Sequence, residues 1–158
     1  EITAGADLTE EQLKSVESAV KVLQSKKCLA IAGDEALLVH YQHIVAKMTD
    51  LPVVLSPLLQ APLIASMYSS EEQVLVITAD TDTLTTPSLH AILAKVGLSP
   101  ADCERFLLSG CETCVGFDQS AKTMHAEKAS ASLTKLVRQA VSANPAIKAV
   151  LLETNMVP

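Results

Sequence analysis

Residues 74–79 read Val-Leu-Val-Ile-Thr-Ala, six consecutive apolar or β-branched residues. A run of this length without polar alternation is typical of a strand that is buried on both faces, as in parallel sheets. The run ends in Asp80 and continues into a short polar segment. Because ligands of open α/β folds bind just beyond the carboxyl ends of parallel strands, we expect a small-molecule pocket next to this segment.

Similar strand-like segments recur along the chain and are separated by helical patterns. The predicted strands are residues 28–32, 52–56, 73–79, 104–109 and 146–152. The predicted helices are one that follows a capping box at Thr9 and Gln12, and others near 35–49, 58–69, 87–96 and 126–143. Helical crossovers between strands imply parallel pairing. The sequence therefore predicts an α/β fold with a parallel sheet covered by helices on both faces.

The polar segment 68–72 is the best candidate for a boundary between two lobes. It predicts a first lobe over residues 1–70 and a second lobe over residues 71–158. The chain starts in a helical pattern and stops at the end of a predicted strand, which are unusual places for a complete domain to finish. We therefore expect the first lobe to be incomplete and the second to lack its C-terminal continuation.

The charge and hydropathy patterns argue against several classes of partner. The formal net charge is −6, and Lys and Arg are not clustered, so a nucleic-acid partner is not expected. The longest apolar runs are well short of the roughly 20 residues of a membrane helix. The chain opens Glu-Ile-Thr without the pattern of a signal peptide. We expect a cytoplasmic protein that does not bind membranes.

The four cysteines do not form a dense disulfide framework. Cys28 lies in a strand-like run and is expected to be a buried free thiol. Cys111 and Cys114 have the spacing of metal ligands or of a redox pair. No second pair or nearby histidine completes a zinc site, so two ordinary thiols in a loop are the favoured interpretation, and no metal site is predicted.

Several predicted strand ends carry motifs of one known family. The segments at 30–42, 52–60, 77–80, 110–117 and 151–158 resemble, in order and spacing, conserved segments of the Asp/Glu/hydantoin racemase family. The resemblance covers roughly residues 28–158. It implies a parallel-sheet racemase-like fold of two lobes with a cleft between them.

The resemblance also implies a chemistry. Members of that family need no cofactor and interconvert the enantiomers of small acidic amino acids such as aspartate and glutamate. One base removes the Cα proton and a second group delivers a proton to the opposite face. Carried over to this chain, the catalytic positions are Glu35 and Thr154. The implied substrate contacts come from the other strand-end residues, Asp34, Ser56, Thr78, Asp80 and Asn155.

The chain departs from the family pattern at both catalytic positions. Glu35 stands where the first cysteine is expected. At the second, Thr154 has replaced the cysteine, the cysteine has been deleted, or a modified cysteine is missing from the written sequence. The other residues also have a purely structural interpretation. Asp34 and Ser56 are suited to capping helices, and Asp80 is suited to a turn.

Three functions follow from this resemblance. The first is an isomerase, namely a racemase or epimerase that acts on a small carboxylate substrate. A homodimer is compatible with this function. The second is a small-carboxylate binding or interaction protein that kept the cleft and lost catalysis. The third is a decarboxylase-type relative, which would need only one cysteine.

Overall fold

The computed structural model describes residues 8–118 and 123–153. Its strands are β1 (Ile31–Ala32), β2 (Val53–Val54), β3 (Gln73–Thr78), β4 (Phe106–Gly110), β5 (Phe117–Asp118), β6 (Thr123–Met124) and β7 (Ile147–Leu152). Its α-helices are α1 (Glu10–Ser25), α2 (Gln42–Ala46), α3 (Ala61–Met67), α4 (Thr86–Lys95), α5 (Pro100–Cys103) and α6 (Ala126–Ala143). Two 3₁₀ helices span Ala36–Tyr41 and Pro57–Gln60. This is a mixed α/β structure with short parallel sheets, as the alternation predicted.

The central sheet has three parallel strands in the order β4-β3-β7. Strand β3 is buried on both faces. Val74 and Val76 face a core that includes Leu89 and Leu93 of α4. On the opposite face, Leu75 and Ile77 pack with residues that include Leu133 of α6. The prediction of a doubly buried strand with helices on both sides is confirmed for this sheet.

The predicted strands 28–32 and 52–56 form a separate sheet in which β1 and β2 pair in parallel. Each has two residues rather than the five predicted. Cys28 follows the turn after α1, lies outside any strand and is only half-buried, so its assignment to a buried strand was wrong. A third apolar cluster, built around Val20, Ile31, Tyr41, Val45 and Leu55, joins α1 to this small sheet.

The helix ends follow their local sequence closely. At the start of α1, the Thr9 side chain accepts from the Gln12 amide and the Gln12 side chain accepts from the Thr9 amide, which confirms the predicted capping box. Ser56 caps the second 3₁₀ helix by accepting from Leu58 N. Asp34 caps no helix, since the N-cap position of the first 3₁₀ helix is Glu35.

Two predicted helices start as 3₁₀ turns, Ala36–Tyr41 before α2 and Pro57–Gln60 before α3. The sequence also did not predict the hairpin of β5 and β6 or the short helix α5. The two-lobe arrangement and its boundary at residue 70 stay predictions. None of the helices that the structure describes is long and apolar enough to cross a bilayer.

Candidate functional site

The three strands of the central sheet end side by side. Thr78, the last residue of β3, is 2% exposed and pairs in register with Gly110. Cys111 N then donates to Thr78 O at 3.0 Å, and Glu153 N donates to Ile77 O at 3.0 Å. Thr78, Cys111 and Glu153 therefore lie together at the carboxyl edge of the sheet, where ligand sites of parallel sheets form.

Glu153 connects this edge to the smaller sheet. Its carboxyl is 7% exposed, and Oε1 accepts from Ala36 N at 2.8 Å. The Thr78 side chain lies beside the same carboxyl group and lowers its pKa, while the Thr78 hydroxyl donates to Asp80 O at 3.4 Å. Ala36 opens the 3₁₀ helix that follows β1, and its amide has no acceptor within that helix. One side chain thus links the turn after β1 to the end of β3.

The environment of Glu153 favours its neutral form. Burial raises the pKa of Glu153, because a carboxylate loses its hydration away from water. The hydrogen bond from Ala36 and the nearby Thr78 side chain act in the opposite direction, and the neighbouring carboxylates of Glu35 and Asp34 raise the pKa further. The net shift is upward. A carboxyl of this kind holds a proton more readily than an exposed glutamate.

Ser56, at the end of β2, belongs to the same neighbourhood. It is fully buried, its hydroxyl donates to Ala36 O at 3.3 Å, and it accepts from Leu58 N at 3.2 Å. The turn after β1 is also packed tightly, because a Cβ placed on Gly33 would collide with the Leu55 carbonyl oxygen. Close approach of two backbones is what requires glycine here.

The Asp80 carboxylate is engaged by its own turn. Its oxygens accept from Asp82 N at 2.9 Å and from Thr83 Oγ1 at 2.5 Å. The Thr83 hydroxyl, followed by the Asp82 amide, holds the pKa of Asp80 below its usual range. The structure therefore shows that the Asp80 carboxylate stabilises a turn, which is the structural interpretation given for this residue above.

Glu112, which the sequence did not single out, fastens the loop after β4 to the loop after β3. Its carboxylate accepts from Thr81 N at 2.5 Å and from Thr81 Oγ1 at 2.6 Å. Partial burial raises the pKa of Glu112, but the two Thr81 bonds outweigh it and the net shift is downward. Glu112 thus acts as an ionised clamp between two strand-end loops.

Cys111 and Cys114 are buried free thiols in the loop after β4. Burial, followed by the neighbouring Cys114 thiol, raises the pKa of Cys111 to about 12. Cys111 is therefore a neutral thiol at physiological pH, and proton abstraction by a thiolate there is disfavoured. Within the part of the chain that the structure describes, no group of three or more His, Cys, Asp or Glu side chains is arranged to hold a metal ion.

The structure brings most of the predicted site residues close to one another. Asp34 and Glu35 lie near Glu153, Ser56 contacts Ala36, and Thr78 contacts Glu153. Glu35 is exposed and Asp34 is half-buried. Asp80 lies two residues beyond Thr78 but directs its carboxylate into its own turn. Thr154 and Asn155 lie outside the described residues.

From the sequence, no specific role was assigned to Glu153 or Cys111. Both directly follow an apolar strand, which is where ligand contacts of parallel sheets are expected. A separate surface groove of about 560 Å³ runs along α6. It is lined by α6 residues alone, and none of the predicted site residues contributes to it.

Comparison with curated proteins finds relatives of one kind. The chain is 37% identical, over its whole length, to dimethylsulfoniopropionate lyase 5 of Emiliania huxleyi. It is 27% identical to dimethylsulfoniopropionate lyase 3 of the same alga, and 22% identical to a dimethylsulfoniopropionate lyase of Durusdinium sp. clade D. These matches cover 34%, 42% and 53% of the respective relatives, so the chain spans between a third and about half of their length. No family model and no solved structure matches the chain.

These relatives overturn the racemase prediction. The curated proteins that match the chain are named lyases, whereas the sequence motifs had indicated an isomerase acting on aspartate or glutamate. The identification as an Asp/Glu/hydantoin racemase was therefore wrong, and with it the racemisation of an acidic amino acid by two bases. The alternative of a lapsed carboxylate-binding protein gains no support from these relatives. Short strand-end motifs suggested a family without fixing the reaction.

Proposed function

We propose that this chain is part of a lyase that cleaves dimethylsulfoniopropionate. The observation that carries the proposal is the 37% identity, across the full chain, to a curated lyase of that name. Further relatives with the same name match between 89% and 100% of the chain. The matched region in each relative therefore corresponds to most or all of the residues discussed above.

The substrate's structure defines the bond that a lyase would break. Dimethylsulfoniopropionate carries a carboxylate and, on the β-carbon, a positively charged dimethylsulfonium group. A base removes a proton from the carbon next to the carboxylate, and the electron pair forms a double bond to the β-carbon. The carbon–sulfur bond breaks at the same time or directly afterwards, releasing dimethyl sulfide and acrylate. The proton stays on the base, so neither water nor an oxidant is consumed.

The acidic strand-end neighbourhood suits such a substrate. The carboxylates of Asp34 and Glu35 lie close enough to Glu153 to raise its pKa. A concentration of negative charge attracts a sulfonium cation, and does so more strongly where water is partly excluded. Removal of a proton by a positioned carboxylate is ordinary general-base catalysis. We assign the base to Glu35, whose exposed side chain is accessible to a ligand.

The other predicted site residues differ in the exposure of their side chains, and we assign their roles accordingly. Asp34 is half-buried and is assigned a direct contact with the substrate. Ser56 and Thr78 are buried and hydrogen-bonded within the protein, so we assign them the role of holding the turns that carry the acidic side chains. Contacts from Thr154 and Asn155 stay predictions.

The test is direct. The purified chain is incubated with dimethylsulfoniopropionate, and dimethyl sulfide is measured by gas chromatography while acrylate is measured by proton NMR. We expect the two products in equal amounts. Glu35→Gln should lower kcat by about 10²- to 10⁴-fold, which is the usual contribution of a general base. Glu71→Gln, which neutralises an exposed carboxylate in the turn before β3, is the matched control and should leave kcat unchanged.

Two results would count against the proposal. A folded wild-type protein that releases neither product would overturn lyase activity for this chain. Full activity in Glu35→Gln would remove Glu35 as the base while leaving the reaction itself in place.

A further inference from the structure

Burying the carboxyl group of Glu153 is energetically unfavourable for the folded protein. The residue is only 7% exposed, so its carboxyl group has lost much of its hydration, and two nearby carboxylates make its ionisation still less favourable. Perturbed, buried acids concentrate at functional sites, where stability is exchanged for geometry or charge.

The contacts of Glu153 show what its carboxyl group holds in place. It accepts from Ala36 N at 2.8 Å, and Ala36 directly follows Asp34 and Glu35 in the chain. The Thr78 side chain at the end of β3 also lies beside this carboxyl group and lowers its pKa. Its own backbone is fixed to the central sheet, because Glu153 N donates to Ile77 O at 3.0 Å. The turn that carries the half-buried Asp34 and the exposed Glu35 is thereby anchored to the rigid sheet.

We propose that Glu153 is a positioning residue whose carboxyl group holds the Asp34–Glu35–Ala36 turn against Thr78, so that the acids of this turn meet the substrate in a fixed geometry. The inference rests on the lyase activity proposed above as far as catalysis is concerned. The anchoring itself is independent of that activity. Small displacements of a base from its substrate lower kcat strongly, so the anchor should matter for rate more than for substrate affinity.

The first measurement needs no activity. Backbone amide exchange is followed by NMR at Ala36 in wild type, Glu153→Ala and Glu153→Gln. Loss of this hydrogen bond, which leaves a buried amide without its acceptor, should accelerate exchange at Ala36 by about 10- to 100-fold in Glu153→Ala. Glu153→Gln retains a carbonyl acceptor and should stay close to wild type. Thr78→Val removes the hydroxyl while preserving shape, and should give an intermediate acceleration even if Glu153→Ala folds poorly.

The second measurement separates kcat from KM on dimethylsulfoniopropionate. We expect Glu153→Ala to lower kcat at least tenfold, and we expect KM to change little. Glu153→Gln should restore most of kcat, because the anchor is retained; a residue needed only for its charge would not be rescued. Glu104→Ala, which removes an exposed carboxylate whose side chain is 78% accessible, is the control and should change neither constant.

The outcomes distinguish the two proposals. Unchanged Ala36 exchange in both Glu153→Ala and Thr78→Val would overturn the anchor, whatever the activity. Accelerated exchange with unchanged kcat in an active protein would overturn its role in catalysis. An inactive wild-type protein would overturn the proposed function, and the exchange data would then decide the anchor alone.

Discussion

The two parallel sheets of this protein are stabilised in different ways. In the central sheet, β3 and β7 each have six residues, β4 has five, and apolar cores cover both faces of β3. In the small sheet, β1 and β2 have two residues each. There, the Gln42 side chain extends the pairing by donating to Val53 O at 2.7 Å and accepting from Leu55 N at 2.9 Å. A long apolar strand is held by burial, whereas a short one depends on individual polar contacts.

The largest expected effect is in the central sheet. Ile77→Ala removes a fully buried side chain from the core between β3 and α6 and leaves a cavity. We expect a loss of about 2–5 kcal/mol in the free energy of unfolding, measured by urea denaturation. Val54→Ala in β2, where the side chain is 50% exposed, is the matched change in the small sheet and should cost much less. Equal losses would contradict the view that burial contributes more to the central sheet than to the small one.

A medium effect is expected where the small sheet depends on close backbone approach. Gly33→Ala places a methyl group against the Leu55 carbonyl and the Leu38 side chain, so the backbones must separate. We expect a loss of about 1–3 kcal/mol in the free energy of unfolding. Gly110→Ala at the end of β4 is the comparison, because the atoms nearest to its added methyl group belong to the Glu112 side chain, which can move at the cost of its exposed hydrogen bonds to Thr81 without separating two backbones. A larger loss for Gly110→Ala would reverse the expected order.

The smallest effect concerns the residue that links the two sheets. Burial raises the pKa of Glu153, so the folded protein holds this proton more tightly than the unfolded chain. The stability that Glu153 contributes is therefore fully present below the unfolded-state pKa, and it is lost as pH rises through the folded-state pKa. Glutamine does not titrate. The Tm of Glu153→Gln relative to wild type should thus increase as pH rises above about 4.3, the pKa of an unperturbed glutamate. A pH-independent difference in Tm would show that Glu153 does not titrate differently on folding.

The sequence predicted the central sheet well and the small sheet poorly. Residues 73–79 and 146–152 were assigned as strands, and the structure has Gln73–Thr78 and Ile147–Leu152. For residues 28–32 and 52–56, the apolar pattern overestimated the strands, since Leu29 is 90% exposed and Val54 is half exposed. An apolar run predicts a strand reliably only when tertiary structure covers both of its faces.

The candidate site was likewise predicted only in part from the sequence. Thr78 was found because polar residues after a buried strand mark the edge at which ligands bind. The part played by Glu153 could not be derived in this way, because its partner Ala36 is 117 positions away in sequence. From the sequence, Asp80 could be either a substrate contact or a turn residue. Its hydrogen bonds to Asp82 and Thr83 show that its carboxylate is used in the turn.

The sequence by itself determined the α/β alternation, the capping box at Thr9 and Gln12, and the doubly buried strand β3, because apolar periodicity and helix capping act over a few neighbouring residues. Only the tertiary structure decided that the parallel strands divide into two sheets and that Glu153 links them. Such features depend on contacts between residues distant in the chain, including a buried carboxyl whose protonation depends on the groups around it.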